Sequence, residues 1–329
     1  MRILFAGSPA IALPCLDTLA ELALSGGDFE LAGILTNPDS PKGRRGRIEA
    51  TEVGARAALI AGRFEAVSRS VPAILKPERL AAQERAAVAA LKPDMLLSFA
   101  YGRIFGPKFL ALFPLGGINI HPSLLPKYRG PAPIPAVILN REAETGISIQ
   151  KLALEMDAGD IILRERFPLS GRETTASLSE YIAQRSAALL PRVLQGILSG
   201  ELQVTPQRPE EASYCSLISK EEGRIDWSRA AADIDARIRA FNPWPLSWTA
   251  HGDQICYILE GQPWAGEGCF PSGKALPGTV LGTDKHAGIL IQTGDGVYAV
   301  NRLQYQAKKA LAWKDFLNGA RDFSSARLV

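Results

Sequence analysis

Asn119 and His121 stand two residues apart in the run Gly117-Ile118-Asn119-Ile120-His121, which breaks at Pro122. The run is short, apolar and alternating, so it reads as a buried strand. On a strand, residues i and i+2 share one face. An amide and an imidazole therefore stand side by side at the strand's C-terminal end, where open α/β sheets bind ligands. A third polar group, Asp157, follows the alternating run Gly146–Leu152, near the end of a strand of the same predicted sheet. A carboxylate brought to that place can orient an imidazole or favour its protonated form. Each residue also has a plainer use. Asp-x-Gly is good turn chemistry, and a lone Asn-x-His also suits a strand-to-loop junction with a satisfied core histidine.

The trio has no obvious nucleophile. Ser123 is the nearest hydroxyl, and it lacks the glycine-flanked elbow that activates a serine. That absence is informative if the substrate supplies the nucleophile. An amino-acid α-amine titrates near about pH 8, so a useful fraction is neutral at pH 7. Attack by such an amine on a carbonyl carbon needs the amine held in place, the oxyanion stabilised and a proton removed. Asn119 and His121 suit the oxyanion, and Asp157 suits the proton.

The elements that must position these groups read as a doubly wound, Rossmann-like sheet. Met1–Ala6 is a strand, Gly7-Ser8-Pro9 a turn and Ile11–Ala23 a helix. The turn is not G-x-G-x-x-G, so a dinucleotide fingerprint is absent. Leu31–Thr36 is a second strand, and Glu49–Ala61 and Lys76–Lys92 read as helices. Met95–Phe99 is a strand followed by a loop, and Pro107–Phe113 is a short helix. After the opening strand come a helix at Ile134–Asn140, strands at Gly146–Leu152 and Ile161–Phe167, and a long helix at Thr174–Leu198. Residues 1–200 form the predicted catalytic domain, and the proline-bearing, polar residues 201–213 the linker. Residues 214–329 contain a helix at Ala230–Phe241 and then short strands between Gly, Pro and Asp, a small OB-like β-barrel pattern. Trp227, Phe241 and Trp244 are expected in the core of that barrel.

Composition narrows the function classes. The hydrophobic fraction of 47% and charged fraction of 22% are those of a soluble globular protein. No apolar run approaches the roughly 20 residues that cross a bilayer, so no membrane contact is expected. The four cysteines are scattered without CxxC spacing, and there are three histidines. No metal is expected, and the pattern fits a reduced, cytoplasmic protein. A formal charge of +3 leaves nucleic acid open. Its distribution says more: Lys42, Arg44, Arg45 and Arg47 fall within the Gly- and Pro-rich loop Asn37–Arg47. Such a loop is either a solvated surface or a tether for phosphate-backbone contacts.

Asn119-x-His121, Ser123-Leu124-Leu125-Pro126 and Tyr128-Arg129-Gly130 together resemble the signature of folate-dependent formyltransferases. Gly7-Ser8-Pro9 resembles the opening turn of that family, and Tyr101-Gly102 the loop bordering its folate pocket. The resemblance implies 10-formyltetrahydrofolate as donor, catalysis by Asn119, His121 and Asp157, and a folate site using Tyr101, Gly102, Ser123, Leu124, Leu125 and Pro126. It implies an acceptor less directly. The Asn37–Arg47 loop looks like the insertion that members acting on initiator tRNA use against the acceptor arm. Ile218–Trp227 and Arg237–Pro245 look like the C-terminal domain of the same members. Methionyl initiator tRNA is then the expected partner, formylated on its α-amine for translation initiation. Lys42, Arg44, Arg45, Arg47, Arg237 and Arg239 become its expected contacts. A monomer is expected, and an amino sugar-nucleotide is the alternative acceptor. Two features depart from the pattern. Ala10-Ile11 replaces an acidic residue and Phe after the opening turn. From Pro209 onward there are 13 Lys and Arg against 14 Asp and Glu, which is not a basic domain.

Overall fold

The computed structural model describes residues 1–42, 46–266 and 275–329. It divides into two compact units, the first made of 1–133, 144–168 and 179–215, the second of 134–143, 169–178 and 216–329. The first unit holds strands β1 (Arg2–Ala6), β2 (Glu30–Leu35), β3 (Ser40–Lys42), β4 (Arg47–Glu49), β5 (Ala73–Leu75), β6 (Met95–Phe99), β7 (Gly117–His121), β8 (Glu144–Lys151) and β9 (Ile161–Pro168). The helices, in chain order, begin with α1 (Leu13–Leu24), α2 (Glu52–Ala66), α3 (Ala82–Ala90) and α4 (Pro107–Leu110). They continue with α5 (Pro133–Leu139) and the long α6 (Thr175–Ser199).

Seven strands form one sheet in the order β5-β2-β1-β6-β7-β8-β9. Pairing is parallel from β5 through β7. It turns antiparallel at β8 and β9. In β6 every residue is buried, as a parallel strand covered on both faces requires. Tyr101, Phe105, Phe109 and Phe113 pack in series under one face with Leu4, Leu35 and Leu96. The antiparallel turn matters for the site. The residues after β8 leave the sheet beside the start of β7, so Asp157 reaches the end of β7 only because its loop folds back.

Several local expectations shift. The Asn37–Arg47 segment is not all loop, because β3 and β4 pair as antiparallel strands. The helix expected at Glu49–Ala61 begins three residues later. Thr51 caps it by accepting from Gly54 N at 2.9 Å, and Glu49 belongs to β4. The helix expected at Lys76–Lys92 shrinks to α3, since Pro77 disfavours a helical Lys76 and the preceding apolar residues join the sheet as β5.

The second unit holds α7 (Ala231–Ala240) and strands β10 (Ser247–His251), β11 (Gln254–Pro263), β12 (Val280–Asp284), β13 (Gly288–Gln292), β14 (Val297–Tyr305) and β15 (Leu311–Ala312), followed by α8 (Trp313–Gly319). The antiparallel order is β10-β11-β14-β13-β12, with β15 on β14. The last residues tie the outer strands together. Leu328 N donates to Gly278 O and Val280 N to Ala326 O on one side, while Ala250 N and Val329 N exchange bonds with each other's carbonyls on the other. The core is Ile234, Ile238, Ile258, Ile289, Tyr298, Phe316 and Phe323. Trp227 and Phe241 are buried as expected, and Trp227 donates to Thr249 Oγ1 at 3.0 Å. Trp244 is not core: the turn between α7 and β10 leaves it 51% exposed. Among the described residues no helix is long and apolar enough to cross a membrane.

Candidate active site

Asn119 lies directly opposite Gln150 across the β7–β8 ladder, and His121 opposite Ser148. All four side chains share one face, while Ile147 and Ile149 fill the other and are fully buried. The strand pair therefore lays down a polar patch of known spacing before any loop is added. Ser148 fixes the loop that follows β7: its hydroxyl donates to Ser123 O at 2.7 Å and accepts from Leu125 N at 3.0 Å. Ser123 is fully buried and donates its own hydroxyl to Lys127 O at 2.7 Å. The Ser123–Pro126 motif thus works here as an internally bonded turn, with Leu125 inside it.

Asp157 occupies the middle of this patch. Gln150 Nε2 donates to its Oδ1 at 2.9 Å, and Gly130 N to its Oδ2 at 2.9 Å. Asn119 Nδ2 lies 3.4 Å and His121 Nδ1 3.5 Å from the same Oδ1. Two backbone conditions make this possible. Asp157 takes φ +53, a left-handed conformation that suits Asp better than most residues. Gly130 takes φ +118, and a Cβ there would meet Cys215 O at 2.2 Å. Only glycine brings its N–H to the carboxylate at that point.

His121 is 4% exposed, and its Nε2 sits 2.8 Å from the Tyr128 carbonyl. A carbonyl only accepts, so Nε2 carries the proton. Burial lowers the imidazole below its ordinary range, opposed by the Asp157 charge and the Tyr128 carbonyl. The neutral ring then turns the Nδ1 lone pair toward Asp157. An imidazole lone pair and a carboxylate facing each other form a ready seat for one proton. His121 has no N–H left for an oxyanion, which leaves that task to the partly exposed Asn119.

Sequence reasoning missed four residues of this network. Gln150 shares the face of Ser148 in an alternating strand, and the pairing register would have exposed it. Arg129 appeared only as part of a motif, yet it is 3% exposed and bonded to Gln207 and Tyr214. Gln207 and Ser213 lie in the stretch read as a linker. That stretch runs within the first unit, with Thr205 bridging Ile161, Ser213 bonded to Tyr128 N, and Tyr214 bridging Arg129.

Residues 1–194 match the family described as formyl transferase, and residues 217–321 match the formyl transferase C-terminal domain. A methionyl-tRNA formyltransferase of Treponema denticola is 46% identical over 98% of this chain and 98% of its own length. The chain belongs to the methionyl-tRNA formyltransferase family. A second relative of that description, from Treponema pallidum, is 40% identical over 100% of this chain and 99% of its own. A solved N-formyltransferase of Helicobacter canadensis, in complex with folinic acid and dTDP-3-aminofucose, superposes with a TM-score of 0.62. At 18% identity over 91% of this chain and 99% of the other, it shares the fold.

The remaining predicted contacts divide. The Tyr101 ring is 2% exposed and stacked on Phe105, so its backbone faces the loop: Tyr101 O accepts from Asn37 Nδ2 at 3.0 Å. Gly102, at φ +79, is exposed. Arg47 is exposed on β4. Arg44 and Arg45 lie outside the described residues, as do the side chain of Lys42 and Cys269. Arg237 donates to Glu222 O and lies over the Phe241 ring at 4.8 Å. Arg239 is paired with Asp235 at 2.7 Å and donates to Glu173 O at 3.1 Å. Among the described residues no cluster of His, Cys, Asp and Glu could hold a metal ion.

Proposed function

We propose that the chain moves the formyl group of 10-formyltetrahydrofolate to the α-amine of methionyl initiator tRNA, with Asn119, His121 and Asp157 as the catalytic groups. One observation carries this reading: the Asp157 carboxylate is held against the Nδ1 edge of His121 and beside the Asn119 amide. The neutral amine attacks the formyl carbon, and a C–N bond forms. The carbonyl oxygen becomes an oxyanion, which Asn119 Nδ2 stabilises by turning from Asp157. The ammonium proton passes to the site between Asp157 and His121 Nδ1 and returns to N10 of the folate as the old C–N bond breaks. The folate lies along Gly102 and the turn that Ser123, Leu124, Leu125 and Pro126 build.

For the acceptor, Arg47 with Lys42, Arg44 and Arg45 meets the phosphate backbone of the tRNA. Arg237 and Arg239 support tRNA binding through the shape of the second unit, since both guanidinium groups are engaged within it. The reading takes the working unit as a monomer acting in the cytoplasm, where charged initiator tRNA is used. The deciding experiment offers the protein 10-formyltetrahydrofolate with charged initiator tRNA, charged elongator tRNA or a dTDP-amino sugar. Transfer confined to initiator tRNA is expected. Transfer to the amino sugar alone overturns the reading of the acceptor.

A further inference from the structure

Gln207 sits where a charged donor meets a row of carbonyls. Its Oε1 accepts from Arg129 Nε at 3.1 Å and Nη2 at 2.9 Å. Its Nε2 faces Gln150 Oε1 at 3.1 Å, Asp157 O at 2.8 Å and Gly159 O at 2.7 Å. A guanidinium cannot accept, so the amide of Gln207 has one allowed orientation: oxygen toward Arg129, nitrogen toward the carbonyls. That orientation decides the next one. Gln150 must turn its oxygen to Gln207, and its Nε2 is thereby aimed at Asp157 Oδ1. The charge of Arg129 thus sets the polarity of two amides in series, ending on the carboxylate. Gln207 also holds the Asp157 carbonyl, at a residue whose φ of +53 needs outside restraint.

We propose that Gln207 is a positioning residue for formyl transfer. By fixing the amide of Gln150 and the backbone of Asp157, it aims the Asp157 carboxylate at Asn119 and His121. The proposal rests on the reading of Asp157 as catalytic. Two variants separate its two ends. Gln207→Glu keeps an oxygen for Arg129 but puts a second oxygen against the carbonyls, so Gln150 flips and presents its own oxygen to Asp157. Gln207→Leu removes both ends.

The test is a double-mutant cycle in the full chain, with methionyl initiator tRNA and 10-formyltetrahydrofolate as substrates. Either Gln207 variant is expected to lower kcat by about 10- to 100-fold, the scale of a misplaced reacting group, with both KM values nearly unchanged. In an Asp157→Asn background the same Gln207 change should cost less than about twofold, since residues acting as a unit are not additive. Wild-type kcat in the Gln207 variants overturns the proposal. So does a loss that appears in KM, or an equal loss in both backgrounds. Failure of Gln207→Glu to fold also counts against it, because the residue would then serve the fold alone; Gln207→Leu need not fold for the test to decide. Wild-type turnover in Asp157→Asn alone overturns the reading of Asp157 instead.

Discussion

The patch around Asp157 and the arginines of α7 are both charged and both built on regular elements, yet they spend their charge differently. Around Asp157 the donors of Gln150, Gly130 and Asn119 converge on one carboxylate, and Asn119 remains partly exposed. On α7, Arg237 and Arg239 turn inward to carbonyls and to Asp235. In the first region the fold converges polar groups on one carboxylate. In the second it consumes them for its own stability. Residue type is the same kind of signal in both places. What separates them is where the hydrogens point.

The largest effect is expected at Gly130, whose N–H holds the Asp157 carboxylate. Gly130→Ala puts a Cβ against the Cys215 carbonyl at a φ of +118 and pulls the N–H from Asp157. We expect stability to fall by about 2 kcal/mol or more and turnover to fall with it, read by thermal unfolding and formyl transfer. Wild-type values for both would mean that the Gly130–Asp157 contact is incidental.

A second test uses pH. Burial holds His121 below its ordinary range, so the folded protein resists a proton that the unfolded chain accepts. The stability this confers is complete above about pH 6.5 and is lost as pH falls from there toward the lowered folded value. Replacing His121 by Gln should flatten the dependence of the unfolding temperature between about pH 6.5 and 5, the interval in which an ordinary histidine titrates. An unchanged slope would place the titration elsewhere.

The smallest effects sharpen the other side. Arg47→Ala should weaken tRNA binding severalfold and reduce the salt slope by about 1. Arg237→Ala should leave the slope unchanged and lower the unfolding temperature, since its guanidinium meets Glu222 O and Phe241 rather than solvent alone. The reverse pattern, read from filter binding at several salt concentrations, would erase the contrast.

These contrasts also mark what could be read in advance. The alternation of β7 placed Asn119 and His121 on one face, and the structure keeps them there. The parallel half of the sheet followed from short apolar runs divided by glycine and proline. Gln150 and Gln207 were not legible, because their importance lies in register and in a fold-back of the chain. Neither leaves a local pattern. The stretch 201–213 is illegible for the same reason: its polar, proline-bearing sequence gives no sign that Ser213 bonds Tyr128 N and Gln207 bonds Gln150. The charge of α7 was visible, whereas its direction was not. Trp244 shows the converse, an aromatic assigned to a core that a proline-flanked turn carries outward.

In the proposed reaction the Asp157 carboxylate, beside His121 and Asn119, handles the proton of the attacking amine. Asp157→Asn keeps the size of the side chain and removes its charge. The direct measurement is the single-turnover rate of formyl transfer to methionyl initiator tRNA, with tRNA affinity determined in parallel. The expected rate is lower by about 10²-fold or more, the range for loss of general acid–base catalysis, with affinity unchanged. A variant that transfers formyl at the wild-type rate would contradict it.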